Sequence, residues 1–130
     1  MCLAARDLPE QKIIKIGEFS IGLCHGHQVV PWGDVESLAN LQRRMDVDIL
    51  VTGHTHQQSV RDHEGKYMIN PGSATGAYSP FTPNVVPTFV LMAIKRNKVV
   101  TFSYSLENGE TVRTTKKEFV KLAAPAKTSE

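Results

Sequence analysis

Cysteine is scarce in this chain, with only Cys2 and Cys24 among 130 residues. Two thiols are too few for the disulfide framework of a small secreted domain, and a reducing compartment is expected. Long apolar runs are missing as well. No segment reaches the ~18 consecutive apolar residues that a membrane-spanning helix requires, and the start Met1-Cys2-Leu3-Ala4-Ala5 lacks the basic flank and the length of a signal peptide. A cytoplasmic protein is therefore expected, with any membrane association arising through partners. An excess of one charge is also wanting: 15 Lys and Arg against 13 Asp and Glu leave a formal net charge of +2. No basic stripe interleaved with aromatics is present, so a nucleic-acid footprint is excluded. The sequence has neither an internal repeat nor a low-complexity tract, and only the small, polar tail 121–130 is expected to be disordered.

What is present is one domain's worth of chain, 41% apolar, long enough for a hydrophobic core and too short for two. Its most informative stretch is Asp48-Ile49-Leu50-Val51 running into Thr52-Gly53-His54-Thr55-His56. A β-branched apolar run that stops at a glycine reads as a buried strand ending in a turn that displays two imidazoles. On an extended backbone His54 and His56, two residues apart, would point the same way, and neutral imidazole is a common ligand for zinc, manganese or iron. A second apolar run, 19–24, delivers His25 and His27 in the same manner. Four of the five histidines thus fall at two strand ends.

The rest of the chain reads as hairpins around one helix. Strands are expected at 12–16 and 19–24 across Gly17-Glu18, at 57–62 and 66–69 across His63-Glu64-Gly65, and at 88–94 and 99–104 across Arg96-Asn97-Lys98. His63 is expected to be a solvated turn residue. An edge strand over 111–119 carries lysines that discourage edge pairing. Asp34 is the expected N-cap of a helix over 34–45, with Glu36 in its first turn and Arg43 and Arg44 near its end. Its stripe Val35, Leu38, Leu41 and Met45 has helical spacing and is read as core. The Pro-rich segment 79–87 reads as a loop.

The segments His25-Gly26-His27-Gln28-Val29-Val30-Pro31-Trp32-Gly33-Asp34, Gly53-His54-Thr55-His56 and Ile69-Asn70-Pro71-Gly72-Ser73-Ala74-Thr75-Gly76-Ala77-Tyr78 together resemble the second half of a calcineurin-like metallophosphoesterase fold. More narrowly, they are similar to the branch that serves as the small subunit of the endosomal retromer complex. The resemblance covers about residues 8–119. It implies an α/β class, a calcineurin-like phosphoesterase β-sandwich flanked by helices and incomplete here, with 1–7 unmatched, 8–120 the C-terminal two-thirds of the domain, and 121–130 a tail. It also implies that the N-terminal third is missing. That loss would uncover the strand 48–52 and leave an unpaired sheet edge.

The same resemblance carries over His25, His54 and His56 as metal ligands, with His27 adjacent and Asn70 near the site. The metal would be zinc or manganese in a full-length family domain, bound weakly or not at all by this chain. A dinuclear centre holds two dications about 3.5–4 Å apart and needs carboxylates to offset their charge. In the family these sit on earlier strands, one ending in Asp-x-His, and no such strand precedes the matched region. The expected role is therefore non-catalytic: a scaffold subunit of retromer in endosome-to-Golgi retrograde transport, peripheral to the endosome membrane through the complex. A metal-dependent phosphodiesterase is the alternative. Two partner surfaces follow from the resemblance. Val29, Val30, Pro31 and Trp32 would meet the helical-solenoid scaffold subunit, vacuolar protein sorting-associated protein 35. Leu91, Phe102 and Tyr104 would form an apolar patch for Rab GTPase-activating regulators, since a hairpin can bring them to one face.

Overall fold

Ile49 and Leu50 are adjacent in sequence, fully buried, and packed in two different clusters. Successive side chains of a strand point to opposite faces, so the strand that carries them is covered on both sides. The computed structural model describes residues 11–26, 34–77 and 85–121. The strand is β3 (Ile49–Thr52), the third of β1 (Gln11–Ile16), β2 (Phe19–Cys24), β3, β4 (Ser59–His63) and β5 (Lys66–Asn70), which form one sheet in the order β1-β2-β3-β5-β4. β2, β3 and β5 run parallel, and β1 and β4 flank them antiparallel. A second sheet, β6 (Thr88–Lys95), β7 (Lys98–Glu107) and β8 (Thr111–Val120), is antiparallel throughout.

One helix, α1 (Val35–Met45), connects β2 to β3. Asp34 caps it as expected: its Oδ2 accepts from Ser37 N at 2.9 Å, and that bond holds the carboxyl below the ordinary carboxylate range. Leu38, Leu41 and Met45 pack on Leu50 and Cys24 on one side of the larger sheet. The other side meets the smaller sheet, where Phe19, Ile21, Ile49, Tyr67, Ile69, Val99 and Phe119 form the main core. The result is a helix, a five-stranded sheet and a three-stranded sheet in layers, an α/β architecture. Burying one side chain of the size of Leu50 or Ile49 contributes ~1.5–3 kcal/mol, and β3 supplies both faces at once.

A buried polar residue locks the helix to the sheet. Gln42 is 1% exposed, and its Nε2 donates to the carbonyls of Asp48 and Tyr67, 3.1 Å each, at the entries to β3 and β5. The helical stripe read from the sequence did not include it.

All three expected hairpins form, with turns of two residues instead of three in two of them. Glu64 and Gly65 adopt φ of 52° and 79°, the doubly left-handed turn whose twist suits a hairpin. His63 departs from expectation. It belongs to β4, its side chain is 22% exposed, and its Nε2 lies 3.5 Å from Glu36 Oε2 on α1. The expectation that strand 48–52 would be uncovered is also overturned, because β3 has β2 and β5 as neighbours and both faces are packed. The N-terminal segment 1–7 and almost all of the tail 121–130 lie outside the described residues.

Candidate functional site

The parallel pairing Cys24 with Thr52 puts the C-terminal ends of β2 and β3 side by side, and the histidines follow at once. Gly53 N donates to His25 O at 2.9 Å, tying the two exits together. Gly26 has φ of 106°, and a Cβ there would sit 3.1 Å from Gly53 O, so the close approach of these two turns needs a glycine. The His25 and His54 rings meet edge to face, with centroids 5.1 Å apart and planes at 62°.

The backbone that displays the imidazoles is not extended. His54 and His56 have φ of 75° and 60°, a left-handed conformation that histidine tolerates better than most residues but that still costs energy. The left-handed conformation at these two positions, not the period of a strand, therefore directs these side chains. His56 turns to Ala77, whose carbonyl is 3.1 Å from Nδ1. A carbonyl only accepts, so Nδ1 carries the proton and Nε2 keeps the lone pair in the neutral ring. Asn70, at the end of β5, holds the loop: Nδ2 donates to Thr55 Oγ1 at 3.0 Å, and Oδ1 accepts from Gly72 N at 2.9 Å. Asn70 is thus near the imidazoles as expected, with its amide committed to the two turns.

The structure brings His25 and His54 together and turns His56 toward Ala77. Among the described residues, no three His, Cys, Asp or Glu side chains are placed to hold one ion. Neutral imidazoles without a carboxylate do not fit a two-metal centre, since nothing among them offsets about four positive charges. His27 and the loop residues Val29, Val30, Pro31 and Trp32 lie outside the described residues.

A second surface sits on the outer face of the smaller sheet. Phe89, Leu91 and Ala93 of β6 are exposed while Val90, Met92 and Ile94 pack inward. Leu91 pairs with Phe102 and Phe89 with Tyr104, and the Phe89 and Tyr104 rings stack at 4.7 Å and 15°. Leu91, Phe102 and Tyr104 therefore share one face. Phe89, 54% exposed, and Val112, 61% exposed, extend it, and Val112 was not singled out by the sequence reading. The signal for Val112 was its register opposite Leu106, which requires knowing where β7 and β8 pair.

Residues 3–97 match the model of the calcineurin-like phosphoesterase superfamily domain, and the chain belongs to that superfamily. Within it, the chain is similar to vacuolar protein sorting-associated protein 29. The protein of that name from Schizosaccharomyces pombe is 40% identical over 117 residues, which are 83% of this chain and 59% of the relative. Two solved structures of Vps29 from Entamoeba histolytica share the fold. A single-site variant is 52% identical with a TM-score of 0.85, covering 88% of this chain and 63% of its own. The wild type in complex with Zn2+ is 53% identical with a TM-score of 0.81, covering 85% and 61%. The chain therefore spans about three-fifths of the length of the relatives it matches.

Proposed function

We propose that this chain is a docking subunit and not a catalyst: a phosphoesterase fold that serves the retromer cargo-sorting complex in endosome-to-Golgi retrograde transport. The outer face of the smaller sheet carries this reading. Phe89 and Leu91 are each 54% exposed beside Phe102 and Tyr104, and a contiguous aromatic-aliphatic patch left in water marks a protein contact. Leu91, Phe102 and Tyr104 would receive short hydrophobic motifs of Rab GTPase-activating regulators. Val29, Val30, Pro31 and Trp32 would meet vacuolar protein sorting-associated protein 35, which would cover the histidine pocket. The likeness to the sorting relatives supports both assignments, with 8–120 as the domain unit. Among the described residues no helix is long and apolar enough to cross a membrane, and contact with the endosome membrane would come through the complex. Co-purification tests the reading: the scaffold subunit should be retained by the unaltered protein and lost with Val30→Asp, and retention by that variant would remove the assignment.

One observation favours a second reading, a metal-dependent phosphodiesterase. His25 and His54 lie ring to ring at the ends of two strands, and a relative was solved with Zn2+. His25, His54 and His56 would then hold zinc or manganese in a longer family domain. Hydrolysis of bis-p-nitrophenyl phosphate with manganese added distinguishes the two.

A further inference from the structure

Gln58 closes the turn that displays His54 and His56, and its side chain reaches across to the smaller sheet. Nε2 donates to Phe89 O at 3.0 Å and to Tyr104 O at 3.3 Å. Phe89 and Tyr104 oppose each other on β6 and β7, and the preceding residue, Thr88, donates its N–H away from β7 to Ser73 O at 2.8 Å. Successive residues of an antiparallel strand direct their backbone groups to alternate sides, so Phe89 and Tyr104 form a hydrogen-bonded rung of the ladder. Each of their carbonyls has a second lone pair, and the two amide hydrogens of Gln58 take one on each. On the outer face of the same rung the Phe89 and Tyr104 rings stack at 4.7 Å. The histidine turn thus holds, through one amide, the rung that carries the aromatic half of the patch.

A second arm runs beside the first. Thr88 Oγ1 donates to Pro71 O at 2.7 Å, and Ser73, whose carbonyl receives the Thr88 N–H, accepts at Oγ from Ala77 N at 2.9 Å. The Ala77 carbonyl in turn holds His56 Nδ1 at 3.1 Å. The arms are also packed together, since a Cβ at Gly72 would lie 3.2 Å from Gln58 Cβ. Both begin at the first residues of β6 and converge on His56. His56 is the element between them that has two states. Its φ of 60° is a strained conformation that persists only where the surroundings impose it, and release of either arm lets it return to the ordinary negative range.

We propose that the histidine turn and the apolar patch are the two ends of one coupled device, in which the Gln58 amide keeps His56 left-handed for as long as the Phe89–Tyr104 rung stays in place. Seating a hydrophobic segment on the two rings fixes the rung, and the anchored turn then presents the His56 imidazole in one orientation. Loosening the rung frees Gln58, and His56 relaxes. The coupling is reciprocal: a ligand that favours the held imidazole strengthens binding at the patch by the same factor. Gln58 is a positioning residue in this device and touches neither ligand. Only the kind of segment that occupies the patch rests on the docking reading; the coupling belongs to the chain itself, through hydrogen bonds within it.

NMR of the 130-residue chain tests the device without any partner. A strong intraresidue HN–Hα Overhauser effect marks the positive φ of His56, and its ring resonances report the surroundings of the imidazole. Gln58→Glu keeps the size of the side chain but replaces the donor by an acceptor, and it should abolish the positive-φ signature in a chain that remains folded. Phe89→Ala, on the outer face, should shift the His56 resonances in the unaltered background and should add nothing to Gln58→Glu. Val112→Ala, exposed on the same face but on a strand that Gln58 does not reach, should leave them in place. A His56 signature unmoved by Gln58→Glu, or equal responses to Phe89→Ala in both backgrounds, would overturn the proposal. So would a Val112→Ala variant that moves His56 as far as Phe89→Ala does. Should Gln58→Glu fail to fold, the contrast between the two outer-face variants decides alone. A regulator segment that fails to bind would count against the docking reading and leave the coupling untouched, whereas an unmoved His56 does the reverse.

Discussion

The Tyr67 hydroxyl and Thr101 Oγ1 lie 2.9 Å apart and join the two sheets inside their common core. Thr101 Oγ1 also donates to the Lys117 carbonyl at 3.1 Å. A threonine hydroxyl has one proton, so Tyr67 is the donor to Thr101. Both residues are fully buried, and the Tyr67 ring stacks on Phe119 at 4.8 Å. Burial pushes the Tyr67 phenol above its ordinary pKa, against the lowering effect of the Thr101 bond, so it remains a neutral donor at physiological pH.

This chain of donors makes the two ends unequal. Tyr67→Phe removes a donor and leaves Thr101 still bonded to Lys117, which should cost ~1 kcal/mol. Thr101→Val leaves the Tyr67 hydroxyl without its acceptor in the core and should cost ~2 kcal/mol. Urea unfolding of the two variants measures the difference, and the opposite order would show that the donor direction is reversed.

Asp48 makes stability depend on pH. Burial raises its pKa, but the Ser20 N–H and the Lys121 ammonium, each 3.0 Å from Oδ2, outweigh that and hold the carboxyl below its ordinary value. A depressed folded pKa means that the contribution is complete above the unfolded pKa and is lost as pH falls through the folded one. Asp48→Asn should therefore destabilise by ~2 kcal/mol at neutral pH. Below the ordinary carboxylate range the variant and the unaltered chain should converge. A gap that stays constant down to strongly acid pH would show that the carboxylate's charge is not the cause.

The hairpins and the helix were legible because their signals are local. Gly17 and Gly65 supply left-handed turn positions, Asp34 supplies the cap, and the flanking runs have the right periods. The parallel adjacency of β2, β3 and β5 was not legible from periodicity, since it joins residues far apart in sequence, and the sandwich was anticipated only through the family resemblance. His54 and His56 misled for a related reason. Their i and i+2 spacing fits an extended strand, but the glycine before them ends the strand, and both residues then take positive φ. Of the surface residues, Leu91 alternates with Val90 and Met92, which fixes that the two sets face apart. Which set meets the core depends on the other sheet.

That alternation gives a stability contrast. Leu91, on the water side, is 54% exposed, while Leu50 is fully buried between sheet and helix. Leu91→Glu should change stability by less than ~0.5 kcal/mol and should abolish binding of a hydrophobic regulator segment to the patch. Leu50→Ala should cost ~2–5 kcal/mol. Thermal melts and a pull-down with an immobilised segment separate the two effects. A large fall in melting temperature for Leu91→Glu would place that side chain in the core and withdraw the patch.

The histidine cluster should bind metal only weakly and show no manganese-dependent turnover of bis-p-nitrophenyl phosphate. A two-metal phosphoesterase stabilises both the attacking and the leaving oxygen between its ions, and that requires anionic ligands to hold two dications at short range. Here His25 and His54 meet ring to ring, His56 presents its Nδ1 to the Ala77 carbonyl, and Asn70 is engaged by Thr55 and Gly72. His25 and His54 together supply fewer than the three or four protein ligands a zinc site takes, so a calorimetric titration with zinc should show at most one weak site, reduced further by His54→Ala. Robust hydrolysis that disappears in His54→Ala would mean that carboxylates reach this pocket from elsewhere. The docking reading would then give way to the catalytic one.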